Sequence, residues 1–208
     1  MTFDSHYRRD ALPDKSPQDL SPLAKIEKGA VGLTNFLSTH AGASFENGLY
    51  RVHPVAEMRR WTTIVAEAFP DFSRRIFCFA YDWLGRHFAL DVARVTNKQF
   101  LILMLEPGTG QALEIPATFV EFHEQELVQY RNEALAAEFY ESWLSEGGQS
   151  PAFGECVGYK QPLFLGGNDD VDNLEVTDMD VYWSITGQLL AKIRGLPDGA
   201  RIGDVEID

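Results

Sequence analysis

Cysteine is scarce in this 208-residue chain. Cys78 and Cys156 are the only two, too few for a disulfide framework, and a reducing cytoplasm is the expected compartment. Long apolar runs are missing as well. Residues 100–105 form one of the longest, far short of the roughly 20 residues that cross a bilayer. Asp4, Arg8, Arg9 and Asp10 crowd the first ten positions with no apolar segment behind them, so no secretory signal is expected. Internal repeats and low-complexity linkers are absent. So are the local signatures of catalysis. There is no G-x-S-x-G elbow, and Cys78 lies inside the apolar run Ile76-Phe77-Cys78-Phe79, the setting of an inert thiol. No two of His6, His40, His53, His87 and His123 fall at helical i, i+3 or i, i+4 spacing, and neither cysteine belongs to a CxxC. Gly108-Thr109-Gly110 lacks the GK[ST] ending of a phosphate loop and reads as a hairpin turn. No catalytic residue, metal or cofactor is expected.

Cations are scarce in one half only. The net charge is −13, from 18 Lys and Arg against 31 Asp and Glu. Residues 1–105 carry 13 basic and 11 acidic side chains, whereas residues 106–208 carry 5 and 20. Residues 106–146 hold nine Glu and a single Arg131, and residues 169–180 hold six carboxylates and no cation. A field of that sign repels nucleic-acid phosphates and anionic membrane surfaces. It attracts a basic protein and speeds encounter with it. Solubility alone explains the same charge.

The rest is that of an ordinary folded protein, 45% hydrophobic and 12% aromatic. Residues 1–22, with Pro13, Pro17 and Pro22, read as an N-terminal arm. Residues 23–39 approach helical spacing, although Gly29 and Gly32 weaken it. Pro54 opens a helix to about Phe69 with the stripe Val55, Met58, Thr62, Val65, Phe69. Residues 76–81 and 87–92 read as a hairpin around Asp82-Trp83-Leu84-Gly85. Residues 100–105 read as a strand at the sheet centre, turned by Pro107–Gly110 into residues 112–115. Pro116 is expected to open a second helical region that breaks near Asn132 and stops at Gly147-Gly148. Strands follow at 156–165 and 174–176. The last helix has Asp180 as cap and Val181, Ile185, Leu189, Ile193 as its stripe, with Gly195 and Pro197 ending it. Residues 201–207 add an edge strand. The order predicts one α+β domain over 23–208, with a mostly antiparallel or mixed sheet flanked by helices.

Two groups of residues are candidate contact sites. Asp169, Asp170, Asp172, Glu175, Asp178 and Asp180 cluster after the double glycine Gly166-Gly167. Clustered oxygens could hold calcium, but the EF-hand register fails, because its positions for Gly and the final Glu hold Leu174 and Asp180, which ranks a metal site behind two other readings. Those are a solvated, capped loop and a protein-contact loop. Asp82 and Trp83 share a turn, and an exposed Trp beside a carboxylate suits a contact hot spot; a Trp folded back onto the sheet suits the sequence equally.

Four strings occur together: Phe79-Ala80-Tyr81-Asp82-Trp83-Leu84-Gly85-Arg86, Glu106-Pro107-Gly108-Thr109-Gly110, the run from Cys156 to Gly167, and Asp172-Asn173-Leu174-Glu175 through Asp178-Met179-Asp180-Val181-Tyr182-Trp183 to Leu190. The set resembles bacterial proteins with a GAD-like N-terminal region, here about 23–145, and a type VI secretion immunity C-terminal domain, here about 146–208. It is similar more broadly to SUKH-type immunity folds, which are α+β. The resemblance implies a non-enzymatic cytoplasmic protein that binds and blocks a cognate toxin, often a nuclease. DNase toxins present basic clefts to a polyanion, and dense carboxylates suit an inhibitor of such a cleft. The alternatives are a small-molecule-binding or regulatory domain with an aromatic-lined pocket, and a hydrolase built from convergent Asp and His.

Overall fold

The computed structural model describes residues 2–10 and 18–194. At its centre is a six-stranded sheet in which neighbours along the chain are neighbours in the sheet and every pair is antiparallel. The strands are β1 (Ser44–Phe45), β2 (Tyr50–Val52), β3 (Ile76–Asp82), β4 (His87–Thr96), β5 (Gln99–Glu106) and β6 (Gln111–Thr118). A second, two-stranded sheet pairs β7 (Glu155–Tyr159) with β8 (Leu174–Asp178). The helices are α1 (Phe3–His6), α2 (Leu33–His40), α3 (Val55–Ala68), α4 (Phe119–Glu121), α5 (Leu127–Gln129), α6 (Arg131–Leu135), α7 (Ala137–Ser145) and α8 (Met179–Ile193), with a π-helical turn at Phe122–Glu126 between α4 and α5. This is the single α+β architecture the element order predicts.

Both faces of the sheet are covered. Phe79, Phe88, Leu90, Ile102 and Met104 point to one core with residues of α1, α2 and α4–α7. Cys78, Ala89, Leu103 and Leu105 point to the other, against Trp61 and Val65 of α3 and Met179 and Trp183 of α8. Alternate side chains of one strand serve opposite faces, so strands buried on both sides read as unbroken apolar runs. That explains why residues 100–105 look central. They form β5, one strand in from the edge, while β3 and β4 hold the middle. An apolar run reports burial on two faces and says nothing of rank within the sheet.

Turns fix the registers. Asn97 and Lys98 have φ of 48° and 65° between the paired Thr96 and Gln99, a two-residue hairpin whose left-handed pair matches strand twist. Glu106 pairs with Gln111 across the Pro107–Gly110 turn. A Cβ on Gly108 would lie 2.6 Å from the Tyr159 ring, and one on Gly110 2.5 Å from Leu190. These glycines let the hairpin press against β7 and α8.

Several expectations are corrected. Pro116 does not open a helix. It sits in edge strand β6 at a register jump, where Leu101 faces Thr118 but Ile102 faces Ile115; an edge-strand bulge needs no N–H from proline. The helical region starts after Thr118, whose backbone N–H donates to the Glu121 carboxylate at 2.9 Å in a capping box. Residues 23–39 become 3₁₀ turns at Ser21–Leu23 and Glu27–Gly29 before α2, since Gly32 takes φ +88° and a Cβ on Gly29 would meet the Phe100 ring. The strand expected over 156–165 stops at Tyr159, and Leu163–Leu165 is a 3₁₀ turn behind Pro162, which has no N–H to give a ladder. On α8 the cap is Asp178, whose Oδ1 accepts from the Val181 N–H at 3.0 Å. Its buried face is Met179, Tyr182, Trp183, Thr186 and Leu189, leaving Val181 and Ile185 49% and 37% exposed. The helix has two apolar stripes, and the one carrying the large rings is packed. The expected stop at Gly195 and Pro197 and the strand at 201–207 lie outside the described residues.

The described part of the N-terminal segment is no free arm. Phe3 is 1% exposed, stacked on Tyr7 at 4.6 Å between ring centroids and edge-on to Phe45. The Tyr7 hydroxyl donates to the Leu127 carbonyl at 2.6 Å, and Arg9 bridges to Phe45. Phe3→Ala is expected to cost about 3 kcal/mol in urea unfolding; an unchanged midpoint would return the segment to the solvent.

Candidate functional site

The acidic segment runs from a 3₁₀ turn at Val171–Asn173 through β8 into α8. Asp169, Asp170, Asp172, Glu175 and Asp178 are exposed, and Asp180 is half-buried. Local structure already uses most of them. Asp170 caps the 3₁₀ turn, accepting from the Asn173 N–H at 3.1 Å. Asp178 caps α8. Asp169 accepts from the Tyr159 hydroxyl at 2.7 Å; burial first, and then this carboxylate, hold that phenol protonated far above its usual range. Asp180 is ion-paired with Arg60 of α3, so it faces the neighbouring helix and leaves the group. Among the described residues, the Asp172 and Glu175 carboxylates have no partner. Lys160 donates to the Asp172 backbone carbonyl at 2.8 Å. Helix α7 packs against the Val171–Asn173 turn, which brings the exposed Glu138 and Glu141 onto an adjoining element.

Beside these carboxylates lies a notch of about 320 Å³, lined by Tyr159, Leu165, Glu175, Tyr182 and Ile185 among others. Val181 and Ile185, one helical turn apart, extend it as an exposed apolar strip. In the sequence both belong to the apolar stripe of the last helix. Their exposure had no local signal, because only the packing of Tyr182 and Trp183 reveals which stripe is left over.

Asp82 and Trp83 are not a surface patch. Both are 0% exposed. Asp82 accepts from the Arg86 Nε at 2.6 Å and from the backbone N–H groups of Leu84 and Arg86 at 3.0 Å. Desolvation is the larger effect on its carboxyl and pushes it up to about 6, against the pull of Arg86. Trp83 donates its indole N–H to the Leu135 carbonyl at 2.9 Å and packs on Tyr140. A Trp followed by Leu-Gly-Arg in a turn tight enough for an i, i+4 ion pair is drawn inward, since the pair closes the turn and leaves the indole facing the sheet core. Asp82→Ala strands the Arg86 charge and is expected to cost about 3–5 kcal/mol in urea unfolding.

Other titratable groups of the core include a buried thiol and three buried histidines. Among the described residues no three of His, Cys, Asp and Glu converge. Burial pushes the Cys78 thiol up to about 12. His53, His87 and His123 are at most 1% exposed. His53, Trp61 and His87 form a cluster in which each ring contacts the other two, and Trp183 meets His87 edge-on. Desolvation holds His53 well below 6.5 and His87 and His123 at about 3. His123 Nδ1 donates to the Phe119 carbonyl and its Nε2 accepts from the Tyr50 hydroxyl, both at 2.9 Å.

Residues 116–190 match the family described as T6SS immunity protein Tdi1, C-terminal. Over this stretch the chain resembles type VI secretion immunity proteins. The match covers just over a third of the chain and contains α4–α7, β7, β8, most of α8 and the whole acidic segment. It starts at Pro116, inside the region expected to be GAD-like, and stops at Leu190. The solved structure described as "Crystal structure of Atu4351 from Agrobacterium tumefaciens" is similar in fold, with a TM-score of 0.59, 16% identity, and 87% of this chain and 86% of that one covered. No curated protein matches the chain. No helix among the described residues is long and apolar enough to cross a membrane.

The buried histidines set a pH dependence. Their neutral form is favoured in the fold, so their contribution is complete above 6.5 and is lost as pH falls from there toward 3. His87 and His123 each withdraw about 2 kcal/mol between pH 7 and pH 5, and His53 acts in the same direction. Asp82, raised rather than lowered, runs the other way and offsets part of this. Urea midpoints should fall steeply from pH 7 to 5, and His87→Gln should flatten the slope; a level profile would contradict the neutral assignment.

Proposed function

We propose that this chain is an immunity protein that binds a cognate toxin and blocks it without chemistry of its own. The match of residues 116–190 to the immunity family carries this reading. The contact face is the acidic segment: Asp172 and Glu175 as unpaired carboxylates, Asp169, Asp170 and Asp178 as exposed charges held by their turns, and the notch with Val181 and Ile185 as an apolar anchor site. Such a face combines what tight inhibitors need. Carboxylates steer a cationic partner and set the on-rate, while a pocket next to them takes a desolvated side chain that slows release. A toxin with a basic cleft, such as a nuclease that must hold a polyanion, fits this surface. The carboxylates then occupy the place of phosphate, and the acidic half has no need to touch nucleic acid. The site of action is the cytoplasm, where a toxin would otherwise reach its target.

Co-expression with the toxin encoded beside the gene tests the reading. Protection and a complex on a sizing column are expected; killing without a complex overturns it. Asp172→Lys with Glu175→Lys should slow association about tenfold at low salt and much less at high salt. Ile185→Glu should raise the dissociation rate instead. Unchanged kinetics in both variants move the interface off this face.

A further inference from the structure

A second charged site carries the opposite sign to the acidic segment. Arg8, Arg9, Asp10, Arg51, Pro151 and Phe153 are among the residues around an open cleft of about 630 Å³. Arg51, on β2, is 2% exposed. Its Nη2 donates to the Pro151 carbonyl, and its guanidinium lies 5.8 Å from the centre of the Tyr81 ring. Its Nε and Nη1 have no hydrogen-bond partner, and among the described residues no carboxylate pairs with it. A buried arginine in that state is a charge without its counter-charge.

The carboxylates nearby are already committed. Asp10 accepts from the Ser44 hydroxyl at 2.8 Å and from the Asn47 and Gly48 N–H groups at 2.9 and 3.0 Å. Glu46 accepts from the Arg8 backbone N–H at 2.6 Å. On the rim, the exposed Arg8 guanidinium has no partner among the described residues, while Arg9 is held by the Thr39 carbonyl at 2.7 Å. The backbone is shaped around the buried cation. Glu46, Asn47 and Gly48 all take positive φ, and a Cβ on Gly48 would lie 2.2 Å from Arg51 Nη2. Only glycine lets the guanidinium lie under that turn.

We infer that this cleft binds a small ligand through an oxyanion, a carboxylate or a phosphate, with Arg51 as the counter-charge at its floor and Arg8 as the mobile cation at its mouth. The anion supplies what Arg51 lacks, and the Phe153 ring gives the body of the ligand an apolar wall. The cleft volume is that of a small-molecule site. The inference stands apart from the immunity reading, since it needs neither the toxin nor the acidic segment.

The test is thermal unfolding of the full chain in sodium phosphate and, separately, in sodium acetate, with ionic strength held constant by sodium chloride. A saturable rise in Tm of a few degrees is expected with one or both anions, and the stronger of the two identifies the headgroup. Arg51→Met should abolish the rise. Arg8→Gln should weaken the apparent affinity several-fold while leaving the Tm without ligand unchanged. If Arg51→Met does not fold, Arg8→Gln carries the comparison. No rise in the native chain at constant ionic strength overturns the site, as does a rise that Arg8→Gln and any folded Arg51→Met leave intact.

Discussion

The turn from Asp82 to Arg86 holds the parts of this protein together. The ion pair between its ends closes it, and every face of the closed turn is then used. The Trp83 backbone N–H donates to Leu49 beyond β1, and its carbonyl accepts from Val157 of β7. Its indole reaches α6, as does the Arg86 guanidinium through the Ala134 carbonyl at 3.2 Å. The Gly85 carbonyl takes the Trp183 indole N–H of α8 at 2.9 Å, and Gly85 itself takes φ +72° close against Cys156. One buried charge pair thus positions the large sheet, the small sheet and helices from both layers. The pair is costly to desolvate and worth little in net stability. What it gives is a turn of one shape, on which four other elements can close.

Charge is divided between the two candidate sites by the same architecture. The acidic segment stays outside because β8 and its flanking turns are short and their carboxylates serve as caps, a role that suits a solvent-facing position. The Arg51 cleft sits at the start of the sheet, where a short strand must place three successive residues and all three are buried. Tyr50 and Val52 enter one core; Arg51, pointing the other way, is enclosed with the Pro151 carbonyl and no carboxylate partner among the described residues. An overall charge of −13 therefore coexists with a local excess of cations. Net charge describes how the molecule meets others at long range. It does not describe each of its clefts.

Much of the fold was legible in the chain. The antiparallel hairpin at β3–β4, the helix after Pro54, the break in the second helical region and the turn at Gly108–Gly110 all follow from local spacing and turn chemistry. The candidate site was legible only in part. The acidic run is a fact of composition, and its exposure follows from the turns around it. The apolar strip at Val181 and Ile185 was not, because α8 carries two stripes of equal regularity. Arg51 was hidden for another reason: one arginine between two apolar strand residues is the ordinary pattern of a strand with a wet face, and here that face is covered.

The sequence by itself determined the class of the fold, the asymmetry of charge and the turns, since each depends on residues within a few positions of one another. Only the tertiary structure decided which surfaces remain open. It buried Asp82 and Trp83, turned Val181 outward, seated Phe3 in the core and enclosed Arg51. Burial is a property of what packs from elsewhere in the chain. The partners that decide it here, Leu135 for Trp83, Leu127 for Tyr7 and Pro151 for Arg51, lie 52 to 120 residues away.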